Sequence, residues 1–536
     1  MNYIKNTMGP MKLRRSRRSK IGKTYFLGVD VGTSSTKAIV FDREGIVIAE
    51  GKSAYRIMST QAGWVEQKAI WWWDALKKAV KETLQSSSID PKNLRGIGIT
   101  HQRMTAVPVN KEINPIGNAI LWNDMRCTEE AEWANKNVGR KKIFERTGYP
   151  PGLWTVYKAM WLKDHNPDIY RNMYKFLLVP DYLIYKLTGR LLTSQGAAVT
   201  TGCLDISNPS RWEKDILKSL DVSIDIWVKD ILPAGSVAGS ITRKAAVETE
   251  LPEGLLVITT AGDQPCGSLG AGLVKPGIMA INGGTSCTSE ILSKKLPSRK
   301  EINYFIEISP TGDYFPEVSV HSGGSALMRW FKDNFASREI EIARKEKRNL
   351  WEVIYNEASQ IPAGNLGLMM VPYLGGAGAP YWDLNARGVL FGIMLDHGRA
   401  HLVRAIMEGL SYETRRAMEL IIKGTGAEIK EVRMYGGSSR SDIWNQIFAD
   451  ILDLSVYTTK TTETTALGAA ICAAVGSGVY DTMEQAVEEM VHIDREYCPI
   501  DKNRKLYNKL YGQVYRQFYD KVHELVRKSA RISRSE

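Results

Sequence analysis

The chain has 536 residues, of which 43% are hydrophobic and 24% are charged, a balance typical of a globular protein with two large domains. No apolar run reaches about 18 residues, and the best candidate, 466–480, is short and rich in alanine and glycine, which disfavours a membrane protein. The net charge of +12 is concentrated at the two ends, and eight basic and no acidic residues lie in 1–23. The nearly neutral body disfavours nucleic-acid binding.

The basic segment 1–23 predicts a disordered, solvated tail, because blocks of like charge repel and stay extended. The six cysteines show no CxxC spacing, and His397 and His401 lack the glutamate of an HExxH zinc site. These patterns predict reduced thiols in a cytoplasmic protein and no structural metal site.

After the tail, three strand-like segments follow one another: "TYFLGVDVG", "TKAIVFD" and "GIVIAEGKSAYRI". The later segments are predicted as a helix (70–84), strands (94–109), helices (128–190), strands with glycine turns (255–292), a long helix (400–423), a further helix (441–453) and closing helices (482–526). This alternation predicts an α/β protein.

The chain also repeats itself. "VDVGTSST" (29–36) is echoed by "INGGTSCT" (281–288), and each copy follows a strand that begins a new block of structure. The repeat predicts two similar domains, 24–259 and 260–482, after the tail at 1–23 and before closing helices and a basic end at 483–536. A dinucleotide-binding βαβ unit is disfavoured, because the first turn leads into a second strand and not into a helix.

The first turn consists of Gly32, Thr33 and Ser34, and small residues of this kind expose backbone N–H groups that bind phosphate oxygens. Lys37 adds positive charge if its side chain points back toward the turn. Asp30 would repel phosphate unless a cation lay between them, which implies Mg²⁺. The alternative is a plain hairpin with an incidental aspartate, and this turn alone leaves both interpretations open.

The second turn favours the first interpretation. Asp263 follows the apolar run "LLVITTAG", and Gly436 and Gly437 in "YGGSS" permit the close approach of a flat ring or a ribose. Two phosphate turns and two carboxylates from opposite halves are the groups needed to hold a nucleoside triphosphate and activate a hydroxyl.

Longer motifs resemble those of the FGGY carbohydrate kinases, the family of glycerol kinase and xylulokinase in the actin/hexokinase superfamily. "GVLFGIMLDHGRAHLVRAIMEG" (388–409) fits the second family signature throughout, whereas "LWTVYKAMWLKDH" (153–165) departs from the first at Leu153 and Ala159. "GWVEQ", "GDQ" and "TALGAA" are further family landmarks. The resemblance covers about residues 25–474, and it implies two actin-like (ribonuclease H-like) domains facing across an ATP and substrate cleft.

The resemblance also implies roles for single residues in the ATP-dependent phosphorylation of a sugar or polyol hydroxyl. Asp263 matches the general base, and Asp30 matches the residue that holds Mg²⁺. The residues that match nucleotide contacts are Gly32, Thr33 and Ser34 in the first turn, Gly284 and Thr285 in the second, and Gly436, Gly437 and Ser441 near the adenosine.

The acceptor is predicted from "THQRMTAVPV" (100–109), which resembles a glycerol kinase segment but has Met104 in place of a hydroxyl-accepting glutamate. Arg103, Asp263 and Gln264 are expected to hold acceptor hydroxyls, with Met104 against carbon atoms. Glycerol kinases place a substrate-facing aromatic residue in the loop that matches 151–155; Leu153 departs from it, and Trp154 of the same loop is expected to contact the substrate. A ketose or linear polyol such as xylulose is therefore favoured over glycerol, because methionine accepts no useful hydrogen bond.

Several alternatives stay open. A glycerol kinase or an autoinducer-2-type kinase has the same chemistry, and a catalytically silent sugar sensor or scaffold has the same fold. The expected partner is a small sugar or polyol, with no membrane and no nucleic acid, and the expected assembly is a homodimer.

Overall fold

The computed structural model of the protein describes residues 23–284, 286–320, 324–383 and 385–535. The predicted basic tail, apart from Lys23, and the predicted phosphate contact Thr285 therefore lie outside the described residues. No helix in the described ranges is both long enough and apolar enough to cross a membrane.

The strands are β1 (Tyr25–Val31), β2 (Ser35–Asp42), β3 (Val47–Ala54), β4 (Glu66–Gln67), β5 (Leu94–His101), β6 (Ala106–Val109), β7 (Ala119–Ile120), β8 (Lys175–Leu178), β9 (Thr193–Ser194), β10 (Ile231–Leu232), β11 (Val237–Ser240), β12 (Leu256–Ile258), β13 (Ile278–Gly283), β14 (Cys287–Ile291), β15 (Phe305–Ile308), β16 (Tyr314–Val320), β17 (Met369–Val371), β18 (Val389–Phe391), β19 (Glu431–Tyr435), β20 (Ser455–Thr459) and β21 (Ile493–Tyr497).

The α-helices are α1 (Ala69–Ser86), α2 (Thr128–Ala134), α3 (Arg140–Thr147), α4 (Thr155–His165), α5 (Pro167–Asn172), α6 (Val179–Thr188), α7 (Gln195–Ala198), α8 (Lys214–Ser219), α9 (Arg243–Thr249), α10 (Asp263–Gly270), α11 (Ser325–Phe335), α12 (Ser337–Glu346), α13 (Leu350–Ser359), α14 (Arg399–Thr425), α15 (Asp442–Leu452), α16 (Thr464–Gly476), α17 (Met483–Met490), α18 (Asp501–Leu510) and α19 (Arg516–Ser535).

The first half is built on a six-stranded sheet in the order β11-β12-β5-β1-β2-β3. Strands β1, β2 and β3 form an antiparallel meander, and β5 and β12 continue the sheet parallel to β1. The apolar side chains of β1 are fully or almost fully buried, which explains its nearly continuous hydrophobic sequence.

The second half has a seven-stranded sheet in the order β15-β16-β14-β13-β19-β20-β21. Here β13, β14 and β16 form the antiparallel meander, and β19 and β20 run parallel to β13. The two sheets therefore share one arrangement, a meander followed by parallel strands, and each glycine turn follows the first strand of its meander. This matches the two-half α/β architecture that the sequence repeat predicts.

Helices α10 and α16 cross between the two halves, and α16 also packs against β1 and β5. The close approach requires glycine. A β-carbon on Gly28 would lie 2.0 Å from the carbonyl oxygen of Ala466, and one on Gly468 would lie 1.9 Å from that of Cys266. The small residues of "TALGAA" thus bring the helix against the sheet, and Asp263 begins the helix that it crosses.

The end of the chain differs in part from its prediction. Residues 493–497, expected within closing helices, form the edge strand β21 of the second sheet. The helices α18 and α19 follow, and every fourth residue from 507 to 519 is a buried tyrosine: Tyr507, Tyr511, Tyr515 and Tyr519. The first three rings lie near Tyr412 of α14, whereas Tyr519 lies against Tyr373 and Tyr381. This spacing places the four rings on one helix face.

Candidate active site

The first glycine turn is held on both sides by hydrogen bonds. The Gly32 N–H donates to the Ser35 carbonyl at 3.0 Å, and the Thr33 carbonyl accepts from Gln67 Nε2 at 2.6 Å. The Ser34 carbonyl accepts from the backbone N–H of Tyr55 at 3.1 Å. The turn is therefore a fixed loop beside the end of β1, where Asp30 lies.

One carboxylate oxygen of Asp30, Oδ1, is buried without a hydrogen-bond partner among the described residues. Burial, the largest cause, together with the negative charges of Asp263 and Glu463, raises the pKa of Asp30 to about 7, against the lowering effect of Lys37. An unpaired, desolvated carboxylate is suited to a cation, because the cation supplies the missing partner.

Lys37 is already engaged in an ion pair. It faces Asp30 across the β1–β2 ladder, and its Nζ atom lies 2.6 Å from Oε2 of Glu463, at the start of α16. Its charge still acts on Asp30. A phosphate contact by Lys37 would have to share the ammonium group with Glu463.

The residues present fit a magnesium ion held by few protein ligands. No cluster of three or more metal-binding side chains occurs within the ranges that the structure describes. Magnesium is usually bound through one or two carboxylates together with substrate phosphates and waters, so Asp30 alone is an adequate anchor beside a phosphate turn.

The second glycine turn packs against the predicted glycine pair. Asn282, on β13, donates to Oε1 of Gln264 at 2.6 Å. Gly436 has a positive φ of 81°, and a β-carbon there would lie 2.5 Å from the Asn282 amide oxygen and 3.0 Å from the Gly284 nitrogen. Gly437 begins the 3-10 turn that follows. The fold therefore brings Gly284, Gly436 and Gly437 together, and their contacts with phosphate and adenosine stay predictions.

Ser441 caps the start of helix α15. It is buried, and its hydroxyl accepts from the Trp444 N–H as the N-cap of α15. A cavity of about 480 Å³ opens beside this helix start, with Ser439 and Arg440 in its wall. A larger cavity of about 770 Å³ in the first half is lined by none of the predicted site residues.

Asp263 lies at the first residue of α10, between the two halves. Its Oδ1 atom is 3.3 Å from Nε of Arg103, and 35% of its side chain is exposed. Burial raises its pKa, Arg103 opposes this, and the nearby Glu317 adds to it. An accessible carboxylate with a raised pKa beside a phosphate turn is suited to accept a proton from a hydroxyl.

Arg103 uses most of its donors within the protein. Its Nη1 and Nη2 atoms bond to Glu317 at 2.7 and 3.1 Å, and Nη1 also bonds to Glu307. Only 12% of the side chain is exposed. The predicted role in holding several acceptor hydroxyls is therefore restricted, because three carboxylates already share the guanidinium group.

Met104 occupies an unusual backbone position. It is 7% exposed and has a left-handed φ of 60°. Its carbonyl accepts from the buried ammonium of Lys158 at 2.7 Å and from Thr155 Oγ1 at 3.2 Å. These bonds help to compensate for the strained backbone conformation of Met104.

Aromatic rings line this region. Trp154 lies edge-on to Tyr149 and Phe305 with ring centres 5.0 and 5.2 Å away, and its Nε1 atom donates to the Pro150 carbonyl. Trp122 is 38% exposed, and its Nε1 atom donates to Thr33 Oγ1 at 3.0 Å. Trp122 thus adjoins the first turn and adds an open aromatic surface.

Sequence reasoning did not identify Trp122, Glu307, Glu317 or Glu463 as part of this site. A signal was present for two of them. Glu307 and Glu317 stand inside the apolar strands "FIEI" and "YFPEVSV", where a buried acid requires a partner. The partner itself, Arg103, lies more than 200 residues earlier, and no local pattern identifies it.

Comparison with known proteins agrees with this arrangement. Residues 25–270 match the N-terminal domain of the FGGY family of carbohydrate kinases, and residues 279–477 match its C-terminal domain. A xylulose kinase of Bacillus subtilis is 30% identical over 487 residues, covering 90% of this chain and 94% of that protein. A glycerol kinase of Thermococcus gammatolerans is 31% identical over 500 residues, covering 90% and 96%.

Among solved structures, a gluconate kinase from Lactobacillus acidophilus superposes with a TM-score of 0.84 at 23% identity, covering 94% of this chain and 99% of that one. At this identity the likeness concerns the fold, and it supports the two-domain, actin-like architecture. Because the two family models together cover most of the chain, the protein belongs to the FGGY family of carbohydrate kinases, which use ATP to phosphorylate sugars.

Proposed function

We propose that this chain transfers the γ-phosphoryl group of ATP to a hydroxyl of a ketose or linear polyol such as xylulose. The observation that carries the proposal is the position of Asp263. It begins α10 between the two halves, contacts Arg103 at 3.3 Å, and lies close enough to Asp30 for its charge to raise the pKa of that carboxyl group.

In this mechanism Asp263 accepts the proton of the acceptor hydroxyl. The hydroxyl oxygen forms a bond to the γ-phosphorus while the bond from that phosphorus to the bridging oxygen of ADP breaks. N–H groups of the first turn and the hydroxyls of Thr33 and Ser34 hold negative charge on the phosphate oxygens. Asp30 would hold magnesium, which when bound offsets the charge of the phosphates.

The choice of acceptor depends on Met104. The xylulose kinase and glycerol kinase relatives have similar identity to this chain, so identity alone does not separate the two substrates. Met104 offers carbon and sulfur where a glycerol-binding site would offer a carboxylate. A site that lacks an acceptor for a substrate hydroxyl disfavours that substrate by up to about 10²-fold.

A coupled assay of ADP release over a panel of ketoses and polyols tests the proposal, with Asp263→Asn as the matched control. Wild-type protein should release ADP only when an acceptor is present, with D-xylulose or a similar chain preferred over glycerol. The proposal would be contradicted if ADP were released at the same rate without an acceptor, or if Asp263→Asn turned over as fast as wild type.

The same assay separates the alternatives. A glycerol kinase or an autoinducer-2-type kinase would show its own acceptor preference in the panel. A silent sensor or scaffold would bind sugar without releasing ADP. The free Oδ1 atom of Asp30 argues against the silent protein, because an unpaired buried carboxylate costs stability and needs a functional reason.

Three further expectations stay predictions: a cytoplasmic location, a homodimer and the absence of nucleic-acid binding. Light scattering on the purified chain measures the assembly. A gel shift that is sensitive to salt and is lost on deletion of residues 1–23 would show that the basic tail binds nucleic acid.

A further inference from the structure

A charged cluster joins the two halves of the molecule at Arg103. The arginine follows β5 in the first sheet, whereas Glu307 and Glu317 lie on β15 and β16 of the second. Glu317 binds the guanidinium group through both of its oxygens, Glu307 binds the same Nη1 atom, and Asp263 lies 3.3 Å from Nε. The side chains of Glu307 and Glu317 are 0% and 2% exposed.

The cluster contains more negative than positive charge. One arginine faces three carboxylates, and in the part of the chain that the structure describes no ion pair connects a second cation to Glu307 or Glu317. Burial raises the pKa of Glu307 to about 7, and burial also raises that of Asp263. Oε2 of Glu307 is buried without a hydrogen-bond partner among the described residues.

This cluster forms part of the acceptor site if Asp263 is the base, so the inference rests on the proposed function. The reacting hydroxyl must then lie about 3 Å from Asp263, and the rest of a short sugar chain lies near Arg103. Lys158 and Thr155 hold the neighbouring Met104 carbonyl. The guanidinium group itself is held by its hydrogen bonds to Glu307 and Glu317.

We propose that Glu307 and Glu317 determine acceptor specificity: by neutralising Arg103 they make the site select uncharged ketoses and polyols and reject sugar acids. A free arginine would bind the carboxylate of a sugar acid through two parallel hydrogen bonds. Here that position is occupied, and a bound sugar acid would place a further negative charge beside three others. Specificity thus comes from a repulsive element as well as from attraction.

The test compares kcat/KM for D-xylulose, D-gluconate and D-glucitol, the last being the uncharged six-carbon counterpart of gluconate. The variants are Glu307→Gln, Glu317→Gln and both together. Each glutamine keeps the shape of the side chain and cannot carry a negative charge; at pH 7 Glu307→Gln removes part of a charge, because the pKa of Glu307 is about 7. The matched control is Glu290→Gln, a buried acid beside Glu317 in the β14–β16 ladder. Burial raises the pKa of Glu290 to about 8, so the control changes little charge at pH 7.

Wild-type protein should use gluconate at least about tenfold less efficiently than glucitol, one decade of transition-state discrimination. The double variant should raise the ratio of gluconate to glucitol by about tenfold or more. Glu290→Gln should leave the ratio within about twofold. An unchanged ratio in an active double variant would overturn the proposal, and so would a wild-type protein that prefers gluconate.

A second measurement uses only wild-type protein and so does not depend on a variant that folds. Gluconate stays ionised between pH 6 and 8, whereas Glu307, which faces Arg103, Glu317 and Tyr149, gains protons over this range. The inhibition constant of gluconate against D-xylulose should fall severalfold from pH 8 to pH 6, and that of glucitol should stay constant. Equal pH responses of the two inhibitors would contradict the proposal.

These outcomes also separate the inference from the proposed function. A wild-type protein without acceptor-dependent ADP release would refute the kinase chemistry itself. A wild-type protein that phosphorylates gluconate and glucitol equally well would refute only the role of Glu307 and Glu317.

Discussion

Asp30 and Asn282 stand at equivalent places in the two halves, each two residues before the glycine that opens its turn, yet their surroundings are opposite. Asp30 faces Lys37 across the ladder and keeps one buried oxygen without a partner. Asn282 faces Thr288, and its amide donates to Gln264 at 2.6 Å. Strands that pair in the same way therefore place a carboxylate with an unpaired oxygen in one half and a neutral, hydrogen-bonded amide in the other.

This difference explains how a repeated fold acquires one reactive centre. A magnesium site needs negative charge that the protein itself does not compensate, whereas a second phosphate turn needs neutral donors that do not repel phosphate. On the proposed mechanism, the first half would provide the former and the second half the latter. Asp263, between them, would act on the acceptor.

The largest effect is expected for Asp263→Asn, which removes the proposed base and leaves both turns intact. Turnover should fall by roughly 10²-fold or more, the loss typical of a missing general base, while ATP and sugar affinities stay within about tenfold. Steady-state kinetics on purified protein measures both. Near-normal turnover would remove Asp263 from the mechanism.

The raised pKa of Asp263 adds a pH dependence. The base must be ionised, so kcat/KM should rise with pH through an apparent pKa above the ordinary aspartate value of 3.8. Because the folded state disfavours ionisation, the charged form costs stability above the unfolded pKa. Asp263→Asn should therefore melt no lower than wild type at pH 8, and a clear drop in Tm would contradict this.

Two substitutions, Asp30→Asn and Asn282→Asp, test whether the two halves have different roles. Asp30→Asn should lower kcat/KM for ATP in the presence of magnesium by roughly 10²-fold, at least the loss seen when a supporting group of a metal site is removed. Asn282→Asp should lower it by about tenfold, because a new carboxylate faces Gln264 Oε1 and repels phosphate. Equal losses in the two variants would show that the turns are not specialised.

The sequence predicted much of this fold and part of this site. Apolar strands and small-residue turns are local features, so the repeat, Asp30 and Asp263 could be identified from the amino-acid sequence alone. The partners of Arg103 and of Lys37 were not, because Glu307 and Glu463 are 204 and 426 residues away in the chain. Such contacts arise only when distant parts of the chain come together in the fold. They show Arg103 at the centre of an ion cluster, and its contact with an acceptor hydroxyl stays a prediction.

Met104→Glu tests which acceptor the site prefers, and its expected effect on kcat/KM is smaller than those of the Asp263 and Asp30 variants. A carboxylate at this position should raise kcat/KM for glycerol up to about tenfold and lower it for D-xylulose, because a buried carboxylate that faces carbon lacks a partner. Met104→Gln is the uncharged control. A wild-type protein that already prefers glycerol by more than about tenfold, or about 1.4 kcal/mol in barrier difference, would contradict the substrate prediction.

The smallest effect is expected outside both halves. Deleting residues 1–23 should leave Tm and kcat nearly unchanged, because this segment has too few apolar residues to pack on the body. Calorimetry and the ADP assay on the shortened chain check this. A large drop in either would show that the tail docks on one of the two domains.

Phosphorus NMR of the full-length chain with ATP, magnesium and D-xylulose follows the phosphoryl group itself. A new phosphomonoester signal should grow in step with ADP when the sugar is present, and neither should form in its absence. ADP that accumulates together with inorganic phosphate and without a phosphomonoester would mean that water is the acceptor, and the assignment as a sugar kinase acting through Asp263 would then be wrong.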